Sequence, residues 1–187
     1  MNIIRYPYFV DINKIKISPM CESKKYRYEL TIPFENAREN SYKTVIVILK
    51  NPSKADKKQC DITISKVCNA AKRNGYSIVK IYNMFPYKST SAKNLKGFIE
   101  SEKYYKYMKI NNEYIKNAII ETDDVVFAWG TNTISQSKKI TMEYQKRKKL
   151  LIDMCKNKNT FMVIGGKKEP LHGQRWSNDS EFVKFDL

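Results

Sequence analysis

The chain has 187 residues, 42% of them hydrophobic, which suffices for one domain with a substantial core, and no composition break divides it. Its 35 Lys and Arg against 19 Asp and Glu leave a formal charge of +16, which points to a polyanionic partner, nucleic acid first, through counterion release and long-range attraction. The composition excludes two classes: no apolar run approaches a membrane span, and one histidine with four scattered cysteines cannot assemble an ordinary zinc site.

In chain order, the start of the sequence lacks the basic-then-apolar order of a signal peptide, so a soluble, cytoplasmic protein is expected. Cys21, Cys60, Cys68 and Cys155 lack C-x-x-C spacing and read as free, mostly buried thiols. Tyr26 to Ile32 alternates as a strand does, and Lys43 to Leu49 is a continuous β-branched run suited to a sheet covered on both faces. A helix follows, with Asp61 placed to cap it, an apolar stripe of Ile62, Ile64, Val67, Cys68 and Ala71, and Asn74-Gly75 to close it. Ser77 to Tyr82 is the next strand, so a strand-helix-strand unit with a parallel crossover is expected.

Lys88 to Glu102 reads as a loop with a short helix around Ser91 to Lys96, and Met108 to Ile120 as a helix. Val125 to Ala128 is a short buried strand stopping at Trp129-Gly130. Ser137 to Lys156 is a long basic helix carrying Lys138-Lys139 and Lys146-Arg147-Lys148-Lys149, either an anion-binding face or a merely solvated one. Thr160 to Ile164 is another strand, and Gly165-Gly166 opens an irregular tail. The alternation gives a single α/β domain over 1–187, a three-layer α/β/α sandwich around a mostly parallel sheet.

If the buried strands are parallel, Asn51, Asn83, Trp129-Gly130 and the 165–176 segment emerge on one edge of the sheet. The resulting crevice gathers two carboxamides, an imidazole, aromatic side chains and lysines, with Asp56 and Asp61 close behind Asn51. That inventory suits a planar, hydrogen-bonding ligand beside a phosphate backbone: a carboxamide reads a base edge and an aromatic ring stacks on a base. Bland readings stand beside the functional ones. Asp61 is equally an N-cap, Asp56 a solvated turn residue, Trp129 a core aromatic, Gly130 a turn former, and Asn83 a strand-end cap bonded to backbone.

Tyr26-Arg27-Tyr28, Asn51-Pro52-Ser53-Lys54-Ala55-Asp56, Asp61-Ile62-Thr63, Gly75-Tyr76, Asn83-Met84-Phe85, Ser89-Thr90, Ala128-Trp129-Gly130 and Pro170-Leu171-His172 resemble the successive signatures of domain of unknown function 1643. More distantly, Asn-Pro at one strand end, Asn at the next, Trp-Gly at a third and a late His loop are similar to the uracil-DNA glycosylase superfamily, its mismatch-specific branch included. That second resemblance implies a uracil-DNA-glycosylase-like fold and a monofunctional, cofactor-free DNA N-glycosylase. By it, Asn51 positions the attacking water, Asn83 recognises the base, and His172 matches the His of the final loop. Asp56 or Asp61 would activate the water or stabilise the sugar cation, and Phe85, Trp129 and Gly130 would line the base pocket. Lys50, Ser53, Lys54, Thr90 and Arg175 would contact DNA bearing a flipped nucleotide.

The departures bear on substrate. Lys50 stands where a small or apolar residue is usual, Ser53 replaces Gly, and His172 is followed by Gly173-Gln174. These departures and the family's occurrence in phages and their hosts imply a damaged or hypermodified base, such as glucosylated hydroxymethylcytosine in phage DNA, and hence antiviral defence by a monomeric enzyme. The alternatives are a non-catalytic nucleic-acid-binding module and an enzyme of free nucleosides or nucleotides.

Overall fold

The computed structural model describes residues 4–19, 25–35, 43–89, 92–131, 138–164 and 169–186. The strands are β1 (Lys16–Ser18), β2 (Glu29–Pro33), β3 (Thr44–Leu49), β4 (Ile78–Asn83), β5 (Asp124–Phe127), β6 (Asn159–Met162) and β7 (Val183–Lys184). The helices are α1 (Ile62–Arg73), α2 (Ala92–Ile99), α3 (Tyr104–Glu121) and α4 (Lys138–Met154). One sheet runs β1-β2-β4-β3-β5-β6-β7. Its centre, β4-β3-β5-β6, is parallel, while β1, β2 and β7 add antiparallel edges.

The fold is α/β, and its sheet is covered on both faces. Val45, Val47, Leu49, Val79, Ile81 and Val126 share one apolar cluster with Ile64, Val67 and Ala71 of α1. Ile46, Ile48, Tyr82, Val125 and Phe127 share the other with Ile115 of α3 and Ile140, Tyr144 and Leu151 of α4. This two-sided burial is why β3 reads as an unbroken β-branched run rather than an alternating one.

Helix α1 is closed at both ends by its own sequence. Asp61 is the N-cap, its carboxylate accepting from the Ile64 N–H at 3.0 Å. At the other end Gly75, at φ +82°, donates to the Lys72 carbonyl while Tyr76 donates to Ala71, a Schellman motif.

Several boundaries differ from the sequence reading. β2 begins at Glu29, because Tyr26 leaves the ladder to form an isolated bridge with Tyr87. α3 starts a turn earlier, at Tyr104, whose hydroxyl donates to the Glu143 carboxylate of α4 at 2.6 Å. The tail is not wholly irregular: 173–175 form a 3-10 turn and β7 pairs with β6. Cys60, Cys68 and Cys155 are free and buried, and Cys21 lies outside the described residues. Among the described residues no helix is long and apolar enough to cross a membrane.

Candidate functional site

The strand order places a switch point at the carboxyl end of β3: the chain leaves β3 for β4 on one side, and β5 pairs on the other. In doubly wound sheets ligands bind at such crevices. Lys50 follows β3 there, and Ala128 to Thr131 follow β5.

The His172 loop is seated on these strand ends through two glycines. Gly173 donates its N–H to the Ala128 carbonyl at 3.2 Å, and a Cβ on Gly173 would stand 2.9 Å from Leu49 Cδ2. Gly130, at φ +70°, lies so near that an added Cβ would meet His172 Cβ at 2.8 Å. Only glycine permits both that backbone conformation and that approach. His172 Nδ1 accepts from the Gln174 N–H at 3.2 Å, so a neutral ring carries its proton on Nε2.

Lys50 completes this corner. Its Nζ donates to the Thr131 carbonyl at 2.8 Å and lies 5.5 Å from the Tyr144 ring centroid, and the Tyr144 hydroxyl donates to the Gly130 carbonyl at 2.6 Å. Burial lowers the Lys50 ammonium to about 8. Burial first, then the positive charges of Lys50 and Arg175, lower His172 to about 4, so at neutral pH its imidazole is uncharged.

His172 is the only histidine, so its ring resonance in tagless protein needs no assignment. A proton NMR titration is expected to show it titrating near pH 4; a midpoint near 6.5 would place the ring in solvent. The folded chain then binds fewer protons than the unfolded one between those two values. Stability therefore falls as pH drops from 6.5 towards 4, by on the order of 2–3 kcal/mol at most.

A second group forms around the ends of β3 and β4. Asn51 Nδ2 donates to the Ser89 carbonyl, and Ser89 N–H returns to the Pro52 carbonyl at 3.2 Å, stapling the loop after β3 to the segment after β4. Asn83 is completely buried, and neither Nδ2 nor Oδ1 has a hydrogen-bond partner among the described residues. Its backbone carbonyl accepts from Asn111 Nδ2 at 2.9 Å, so the strand end is capped by another residue and the Asn83 side chain is not used for that purpose.

Asp61 is committed on both oxygens, to Ile64 N–H and, at 3.3 Å, to Ala55 N–H. Asp56 Oδ1 accepts from the N–H groups of Lys58 and Gln59, both at 2.8 Å. Between these carboxylates sits a residue the sequence reading gave no role. Arg27 is fully buried, with Nη1 donating to the Ala55 carbonyl at 2.8 Å. Its burial lowers it to about 10 against the opposing pull of Asp61, Tyr6 and Asp56. The signal was faint: an arginine at the start of a strand pattern reads by default as solvated.

The model of the family described as Protein of unknown function (DUF1643) matches residues 27–172. The chain belongs to that family. The DUF1643 span opens on Arg27 and closes on His172, and it holds β2 through β6 while leaving the β1 and β7 edges outside. No curated protein and no solved structure matches the chain.

Within the DUF1643 span, the parallel sheet brings Lys50, Asn51, Asn83, Gly130 and His172 to one edge, as convergent strand ends require. Two of the expected base-stacking residues lie elsewhere. Phe85 and Trp129 are fully buried in the cluster facing α3 and α4, and the Trp129 ring is already stacked on Phe127 at 4.4 Å, so neither offers a free ring face. Both side chains turn to the face of the sheet opposite α1, which a strand-end position alone does not reveal. Ser53 is half-buried with an unpartnered Oγ, while Lys54 and Arg175 are exposed; Thr90 and Gly165-Gly166 lie outside the described residues. In the basic helix, Lys138, Lys139, Lys146 and Lys149 are exposed, but Arg147 turns inward and donates to Met84 O at 3.1 Å and Asn112 Oδ1 at 2.6 Å.

Proposed function

We propose that this chain is a DNA glycosylase that hydrolyses the N-glycosidic bond of a non-standard base and leaves an abasic site, on a uracil-DNA-glycosylase-like sandwich. The observation that carries the reading is the Asn83 carboxamide, buried at the end of a parallel strand with donor and acceptor both unpartnered among the described residues. An orphaned amide is costly, and pairing with a base edge, itself a donor beside an acceptor, relieves that cost.

The remaining roles follow from chemistry. As the C1′–N bond breaks, its electron pair leaves with the base and the sugar becomes cationic; water oxygen then bonds to C1′, and the proton it loses passes through solvent to the departed base anion. Asn51, with Nδ2 held by Ser89, retains its carbonyl oxygen to orient that water. Asp56 and Asp61 supply negative charge near the sugar, Asp61 by field alone because both its oxygens are engaged. Neutral His172, with its proton on Nε2, donates to the departing base. Lys50, beside His172, adds positive charge on the leaving-group side.

The net charge and the exposed lysines of α4 support DNA as the partner. The inward turn of Phe85 and Trp129 removes two stacking faces of the expected pocket, which suits a bulkier or more polar base than uracil, as in hypermodified phage DNA. Defence against phage, a cytoplasmic location and a monomeric state belong to this proposal. The test is formation of abasic sites in modified phage DNA, with Asn51→Ala and His172→Ala each expected to lower the rate about 100-fold or more. Salt-sensitive binding without cleavage, indifferent to Asn51→Ala, would identify a binding module instead.

A further inference from the structure

Arg27 and Lys88 lie on two short segments that pair antiparallel. Tyr26 bridges Tyr87, Arg27 N–H donates to Pro86 O at 2.9 Å, and Lys88 N–H donates to Lys25 O at 2.8 Å. Side chains alternate across such a pair, so the lip has two faces. Tyr26 and Tyr87 take one face, stacked on Tyr107 at 3.9 Å and Phe98 at 5.1 Å respectively. Arg27 and Lys88 take the other, close enough that the guanidinium lowers the lysine's affinity for its proton, after burial itself.

On that cationic face, and in the loop after β3 that Arg27 holds through Ala55, donors outnumber their partners. Arg27 Nε and Nη2 are buried with no partner among the described residues, and so is Ser53 Oγ, two residues before the Ala55 carbonyl that holds Nη1. The neighbouring carboxylates do not bond the guanidinium: Asp61 gives its oxygens to Ile64 and Ala55, and Asp56 Oδ1 serves Lys58 and Gln59. A planar fork of Nε and Nη2 matches two oxygens of a phosphate, and a hydroxyl supplies a third contact.

We propose that Arg27, Ser53 and Lys88 form a phosphate-binding site at the end of β3, which on the glycosylase reading above takes a phosphodiester beside the flipped nucleotide. Arg27 has no solvent exposure, while Ser53 and Lys88 are half-buried. Access therefore requires the loop after β3 and the segment after β4, joined by the Asn51–Ser89 hydrogen bond, to shift together away from Arg27. Binding to the lip and presentation of Asn51 are thus coupled.

The test uses the full chain in two arms. In the first, thermal unfolding is followed with inorganic phosphate against chloride at equal ionic strength; the midpoint is expected to rise by about 3–6 °C. Arg27→Met should lose most of that rise, and Ser53→Ala and Lys88→Met part of it. In the second, an oligonucleotide carrying a tetrahydrofuran in place of one nucleotide presents phosphates without a base. Arg27→Met and Ser53→Ala should weaken its binding about tenfold. Equal phosphate response in all three variants and the unaltered protein, or no response in the unaltered protein, overturns the site. If Arg27→Met does not fold, the Ser53 and Lys88 variants decide. A phosphate response without base release at any substrate would retain this site and remove the glycosylase reading.

Discussion

Replacing Asn83 with leucine is expected to make the unliganded protein more stable and to slow base release by two to three orders of magnitude, about 100- to 1,000-fold. Asn83 is completely buried, and its two polar atoms have no partner among the described residues, whereas in the unfolded chain both are hydrated. That difference opposes folding by about 1–3 kcal/mol, and an apolar group of similar shape removes it. Leucine suits the position, since Asn83 continues the face of β4 that buries Val79 and Ile81 against α1 and is register partner to Leu49. The urea midpoint should rise with the slope unchanged. Single-turnover base release should fall about 100- to 1,000-fold, the usual effect of losing one preorganised hydrogen-bonding group at a charge-developing site. A variant destabilised by more than about 1 kcal/mol would mean that the carboxamide is a structural bond.

Gly130→Ala is expected to be the most damaging single-methyl change in the site. The new Cβ would lie 2.8 Å from His172 Cβ and 3.4 Å from His172 Cα, and the first of these is closer than non-bonded carbon atoms approach. Relief requires the His172 loop to lift from the end of β5, breaking the Gly173–Ala128 hydrogen bond. Left-handed backbone strain of about 1–2 kcal/mol adds to this, for a total loss of about 2–4 kcal/mol. The companion change Gly75→Ala separates the two effects: φ is +82°, but nothing lies within 4 Å of the added carbon, so only the strain applies. Denaturation of the two variants should show the larger loss at Gly130, and the His172 titration should move back towards 6.5 in that variant alone. Equal losses would show that the His172 loop is not held by this contact.

Much of the scaffold was legible because its signals are local. The β-branched run of β3, the Asp61 cap and the Asn74-Gly75 stop each follow from one stretch of sequence, and together they set the β3-α1-β4 unit. Parallel pairing then brings Asn51, Asn83, Gly130 and His172 to one edge, and that followed from strand order alone. What escaped depends on which way a residue turns once its strand has ended. Phe85 and Trp129 face the core, Lys50 is drawn under Thr131, and Arg27 and Arg147 are buried, although a basic residue carries no mark of burial in sequence. The edge strands β1 and β7, of 3 and 2 residues, are too short for any periodic pattern to announce them.

The lysine at the end of β3 joins the two halves of the site. It follows the strand that delivers Asn51, yet it bonds across to Thr131 after β5 and shares its field with His172. Where a small residue would leave the switch point open, Lys50 fills it with a buried cation. On the proposed mechanism this cation stabilises the negative charge that the departing base carries.

The proposed activity of this site is to free a base from DNA. Mass spectrometry of the small-molecule fraction, after the protein is incubated with genomic DNAs of differing modification, measures that most directly. The expected result is one modified base released as the free base, in step with new abasic sites, and lost with Asn83→Leu. Absence of any freed base from every modified or mismatched DNA, by protein that binds DNA and is folded, would contradict the account.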